Sequence, residues 1–132
     1  MENSELVSLI KQHLPSVKLI YLFGSRATNE ARPSSDWDIA VMAEKKIPLS
    51  TLWELKELLA NTCRAEVDLI DLLQSTTVLN VQIIERGQLL YDACDAAMSF
   101  ETRVLSMYGR LQEGREDIMT DFAAQLKGMK HG

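Results

Sequence analysis

Two aspartates separated by a single tryptophan, Asp36-Trp37-Asp38, open an apolar run that continues to Met42. Alternate side chains of an extended strand share a face, so both carboxylates point one way while Trp37, Ile39 and Val41 point the other. At a rise of ~3.3 Å per residue the two Cα atoms lie roughly 7 Å apart, and their side chains can converge on one point. Like charges at the edge of an apolar strand repel, and partial desolvation makes the repulsion worse. A divalent cation compensates directly. An oxygen-only donor set suits Mg²⁺, commonly held by one or two carboxylates together with substrate phosphates.

The preceding apolar run, Val17 to Phe23, stops at Gly24-Ser25, and ten residues then lead to Asp36. Glycine allows a tight bend and close approach of a ligand to the backbone. Ser25 adds a hydroxyl and an N–H. A short helix opening over Arg26 to Asn29 would present free N–H groups to an anion. A phosphate docked there and bridged by metal to Asp36 and Asp38 makes a nucleoside-triphosphate site. A third acidic stretch, AEVDLIDL from Ala65 to Leu72, offers Asp68 and Asp71 on opposite strand faces. Two-metal phosphoryl transfer needs a carboxylate beside the attacking nucleophile, as metal ligand or proton acceptor. Asp68, early in the strand, takes that role; Asp71 is the alternative, or a solvated or capping residue near the strand end. Either motif alone is commonplace; their order and spacing carry the reading.

The elements that must position these residues follow from periodicity. Leu6, Leu9, Ile10 and Leu14 sit near helical spacing and Pro15 closes that segment. VKLIYLF (17–23) and DWDIAVM (36–42) read as strands, separated by a loop rich in Asn, Pro and Ser. A helix starts near Pro48-Leu49-Ser50 with Ser50 or Thr51 as N-cap, and a third strand covers Ala65 to Leu72. Ser75 to Arg86 forms another helix, capped by Ser75 or Thr76 and ended by Gly87. Gln88 to Asp92 is a short fourth strand. From about Cys94 to Lys127 proline is absent and apolar residues recur at helical intervals, giving one long helix or two with a break near Gly109 or Gly114. Its apolar surplus suits contact with a partner or a second copy. The order α-β-β-α-β-α-β-α predicts an α/β or α+β sheet with helices against it.

A chain of 132 residues suits one domain, here 1–132, with a core over about 1–95 and a helical segment over about 94–128. Its 46% hydrophobic and 25% charged residues place it with globular rather than disordered proteins. No apolar run approaches the ~20 residues that span a bilayer, and no secretory leader is expected. Cys63 and Cys94 form no close pair and fit reduced thiols in a cytoplasmic protein. The net charge of −5 and absence of a basic stripe disfavour stable binding to long nucleic acid.

With its strand context, Gly24-Ser25, ten residues, then Asp36-Trp37-Asp38 resembles the G-S-x10-D-x-D signature of the minimal nucleotidyltransferase (MNT) proteins of the DNA polymerase β-like superfamily. The later Val67-Asp68-Leu69 agrees. The resemblance covers about residues 1–95, and the C-terminal helical segment also fits short members. It implies a polymerase β-like fold, a mixed sheet flanked by helices, with Mg²⁺ (or Mn²⁺) and ATP as ligands. Asp36, Asp38 and Asp68 become the catalytic and metal-holding triad. Gly24 and Ser25 hold the triphosphate, with Arg26 as a further phosphate-binding candidate. Members of this size pair with a HEPN-domain ribonuclease toxin, and the MNT antitoxin transfers AMP from ATP to a toxin tyrosine. Alternatives are an antitoxin acting by occlusion, and a small-molecule nucleotidyltransferase, which generally needs an additional substrate domain. Neither His13 nor His131 stands at HEPN spacing from an arginine, so the chain does not read as the toxin.

Overall fold

The computed structural model describes residues 2–27 and 36–113, with side chains as far as 109. The chain runs α1 (Asn3–His13), β1 (Val17–Phe23), a single 3-10 turn (Gly24–Arg26), β2 (Trp37–Ala43), α2 (Leu49–Cys63), β3 (Val67–Asp71), α3 (Thr77–Arg86), β4 (Gln88–Asp92) and α4 (Ala96–Glu113). The strands form one sheet in the order β3-β2-β1-β4. β1 is antiparallel to both neighbours, whereas β2 and β3 are parallel and joined through α2. The expected mixed sheet flanked by helices is present.

Both sheet faces are covered, which explains why β1 is apolar at nearly every position rather than alternating. On one face Leu6 and Ile10 of α1 and Leu55 and Leu59 of α2 pack on Ile20, Leu22, Trp37, Ile39, Val41, Val67 and Leu69. On the other, Val81 and Ile83 of α3 and Ala97, Phe100 and Val104 of α4 pack on Leu19, Tyr21, Ala40 and Met42. A register shift between Val17 and Leu19 lets Val17 and Ile20 serve the same face despite their odd separation. Tyr21 anchors α4: its buried hydroxyl donates to Glu101 Oε2 at 2.8 Å.

The boundaries carry three corrections. β2 begins at Trp37, whose N–H donates to Glu66 O at 2.9 Å, leaving Asp36 just outside the strand. α2 is capped by Pro48 rather than Ser50 or Thr51: the fixed ring presents the Pro48 carbonyl to the N–H of Leu52 at 3.0 Å. Gly87 ends α3 in extended backbone, not in a left-handed cap; glycine is needed because a Cβ would collide with Ile83 O and press on Leu22 O at 3.2 Å. Thr76, one of two expected caps for α3, accepts from the Leu79 N–H at 3.2 Å. α4 passes through Gly109 unbroken, while Gly114 and the rest of the expected C-terminal helix lie outside the described residues. The Asp92 carboxylate caps α4 by accepting from the Ala97 N–H at 3.1 Å. Among the described residues no helix is long and apolar enough to cross a membrane.

Candidate active site

The carboxylates gather where β1 ends and β2 and β3 begin. β1 hands the chain to the 3-10 turn after Phe23, which pairs with Asp38 on β2. Asp38 in turn pairs with Asp68 on the parallel β3. Residues 38, 40 and 42 share a face, with Ala40 and Met42 on the α3/α4 side. Paired residues of adjacent strands project the same way about 4.8 Å apart, so Asp38 and Asp68 stand side by side. Asp36 precedes Asp38 by two residues. Asp38 is half-buried, and Asp36 and Asp68 are exposed.

Crowding of negative charge leaves an electrostatic signature. The Asp38 carboxyl is pushed above the ordinary carboxylate range, first by burial, then by the charge of Asp68, then by that of Asp36. A cluster that raises its own proton affinity gains from any cation placed among its oxygens. Among the described residues no three His, Cys, Asp or Glu side chains form a ready-made metal cage. Mg²⁺ does not require one: it keeps waters and binds through one or two carboxylates plus substrate phosphates. The donor chemistry of Asp36, Asp38 and Asp68 therefore fits a cation that arrives with a phosphorylated ligand.

Gly24 has φ +73°, a left-handed backbone that favours glycine, and a Cβ there would run into Asp38 Oδ2 and lie 3.1 Å from Asp38 Cγ. The Asp38 carboxylate thus occupies the space a side chain at position 24 would need. The turn begins two residues earlier than the helix expected over Arg26 to Asn29. It is a single turn closed by the Ala27 N–H donating to Gly24 O at 3.1 Å. Residues 28–35, which include Asn29, lie outside the described residues.

Arg26 behaves differently from its neighbours. Its guanidinium lies 4.2 Å from the centroid of the Trp37 ring. Trp37 is buried on the α1/α2 face, opposite the carboxylates. Burial raises the Cys63 thiol, and the Arg26 charge opposes that shift in part. Trp37 is core, as its parity predicts; its partnership with Arg26 carried no sequence signal beyond both residues adjoining the motif.

Asp71 has another task. Only 3% exposed, at the far end of β3, it accepts from the Ile47 N–H (2.8 Å), the Leu73 N–H (3.0 Å) and Gln74 Nε2 (2.7 Å). Those bonds join the loop before α2 to the loop after β3. Of the two aspartates on β3, Asp68 stands beside Asp38 and Asp71 does not.

A mixed sheet with clustered carboxylates beside a glycine-hinged turn defines a nucleotidyl-transfer protein. Residues 4–95 match the family described as polymerase beta, nucleotidyltransferase, and the chain belongs to that family. Over 131 residues, 99% of this chain and 94% of the relative, it is 33% identical to the protein adenylyltransferase MntA of Shewanella oneidensis. It is also similar to a solved toxin–antitoxin structure with AMP-PNP, at a TM-score of 0.83 and 34% identity over 92% of this chain and 98% of that one. Another similar structure is the MNT antitoxin in complex with the tri-AMPylated Shewanella oneidensis HEPN toxin. There the TM-score is 0.76 and the identity 34%, over 90% of this chain and 93% of the other.

Proposed function

We propose that this protein is a cytoplasmic antitoxin and protein adenylyltransferase that transfers AMP from ATP to a tyrosine of a cognate HEPN ribonuclease toxin. The observation that carries the reading is Asp38, set against Gly24, in register with Asp68 on the adjacent strand and under the charge of both Asp68 and Asp36. Occlusion of a toxin needs no such cluster. Likeness along nearly the whole chain to a protein adenylyltransferase, and to an MNT antitoxin in complex with an AMPylated HEPN toxin, supplies the substrate and partner.

In this mechanism Gly24 and Ser25 receive the triphosphate. Asp36, Asp38 and Asp68 would hold Mg²⁺, with Mn²⁺ as a substitute; when bound, the metal neutralises phosphate charge and polarises the reacting oxygens. The tyrosine oxygen forms a bond to the α-phosphorus while the bond from that phosphorus to the bridging oxygen breaks. Pyrophosphate leaves with the electron pair. A free tyrosine has a pKa of about 10, so its proton needs an acceptor at neutral pH, and the exposed Asp68 carboxylate serves. Catalysis of this kind rests mainly on positioning and electrostatic stabilisation.

The test is intact-mass spectrometry of the partner after incubation with this protein, ATP and Mg²⁺. Adducts of one or more AMP units on a tyrosine are expected, and none with Asp36→Ala/Asp38→Ala. An unmodified partner with the native chain refutes the transferase reading.

A further inference from the structure

We infer that Arg26 and Trp37 are positioning residues that set the distance between the Gly-Ser turn and the acidic strand from the face opposite the site. The inference rests on the nucleotidyltransferase reading above and deepens it. The 3-10 turn grips the start of β2 from both sides. On the carboxylate face Gly24 lies against Asp38; on the other, the Arg26 guanidinium lies 4.2 Å from the centre of the Trp37 ring. Ser25 lies between these two contacts in sequence, and Trp37 lies between Asp36 and Asp38. Two contacts, on opposite faces, fix where Ser25 stands relative to both aspartates.

The ring suits this use. Trp37 is 5% exposed and packed among Ile39, Val67 and the helices of the α1/α2 face, so it does not move with the solvent. A guanidinium stacked on a desolvated indole has a defined geometry as well as an attraction, because the plane of the cation matches the plane of the ring. Arg26 then influences a bound triphosphate through the placement of Ser25, not by touching it.

A double-mutant cycle decides the matter, with Mg²⁺–AMP-PNP affinity as the first readout so that the result does not depend on transfer. Arg26→Ala and Trp37→Leu are each expected to weaken binding about 5- to 10-fold, the range a partly desolvated cation–π contact supports. The double variant is expected to be no weaker than the worse single one. Arg26→Lys keeps a cation near the ring but loses the planar stack, and is expected to recover only part of the affinity. Trp37→Phe retains a ring, and serves in the cycle should Trp37→Leu fail to fold. Multiplicative losses in the double variant would overturn the proposal, since they make Arg26 a phosphate contact in its own right.

A second readout is optical. Trp53, 63% exposed on α2, is replaced by Phe so that Trp37 is the sole tryptophan. Arg26→Ala should then raise the acrylamide quenching of Trp37 several-fold, because the guanidinium no longer covers the ring; unchanged quenching would overturn the contact. Should the cycle hold while the native chain modifies no partner, the transferase reading fails and the positioning role stands. With an active transferase, the expected kinetic signature is a raised KM for ATP with kcat changed less.

Discussion

Replacing Gly24 by alanine tests the geometry of the cleft with one methyl group. Two penalties follow from the structure and fall on different observables. The first is conformational: position 24 has φ +73°, and a residue with a Cβ in the left-handed region costs about 1–2 kcal/mol relative to the right-handed one. For a domain of this size that corresponds to a melting temperature lower by roughly 4–10 °C. The second is local: the new Cβ would take the space of Asp38 Oδ2, so the carboxylate must shift from its place. A misplacement of about 1 Å in a phosphoryl-transfer site costs on the order of 100-fold in rate. AMP transfer to the partner, measured well below the melting temperature of the variant, should fall by about that factor. Gly109→Ala is the control. A Cβ there meets nothing within 4 Å, and glycine to alanine inside a helix gains about 1 kcal/mol, so α4 should be stabilised with transfer unchanged. Transfer by Gly24→Ala within a few-fold of the native rate would refute the contact between the turn and the acidic strand.

Asp68 and Asp71 should separate cleanly. Asp68→Asn removes the carboxylate proposed to hold the metal and accept the tyrosine proton, so transfer should be lost; it also removes a charge that disfavours ionised Asp38, so thermal stability should hold or rise slightly. Asp71→Ala leaves the N–H groups of Ile47 and Leu73 without their acceptor; chemical denaturation should show a loss of about 2–4 kcal/mol, with cleft chemistry spared in the protein that remains folded. Tyr21 gives a pH test. Burial first, then its hydrogen bond to Glu101, raise the phenol well above its ordinary value. A raised folded-state pKa means full stabilisation below the unfolded value, about 10, and loss as pH climbs beyond it. Melting temperatures should therefore fall more steeply above about pH 10 in the native protein than in Tyr21→Phe, which is weaker at neutral pH because Glu101 loses its donor; parallel curves would contradict this.

The parts that were legible in the sequence are those where local pattern and tertiary use coincide. VKLIYLF and QLLYD have strand boundaries that the sheet reproduces without change, because each run is bounded by turn residues and needs no distant partner to define it. The facing of Asp38 opposite Trp37 follows from strand alternation alone, whereas Asp36 lies just outside the strand, where alternation no longer applies. Preference for Asp68 over Asp71 rested on its early position in the strand; what the chain does not spell out is that Asp71 accepts from donors on Ile47 and Gln74, 24 and 3 residues away. The Pro48 cap was hidden because two serviceable hydroxyls, Ser50 and Thr51, follow it within the same turn. Long-range side-chain pairs such as Tyr21 with Glu101, 80 residues apart, leave no periodic trace. The stack of Arg26 on Trp37 was invisible on the same ground, since nothing about an arginine beside a Gly-Ser says which side of a sheet it will choose.

Because Ala97, Phe100 and Val104 of α4 roof over Leu19, Tyr21, Ala40 and Met42, a fragment cut at residue 95 would keep strands β1 to β4 and Asp36, Asp38 and Asp68 yet bare an oily floor. Such a fragment should clump when expressed alone, even though it spans the segment shared with the wider family. During synthesis the same exposure is transient, lasting until α4 has left the ribosome. Shortening the chain is thus a poor way to probe what the outer side of α4 touches; surface swaps at Met98, Leu105 or Met107, all turned to solvent, leave the roof in place.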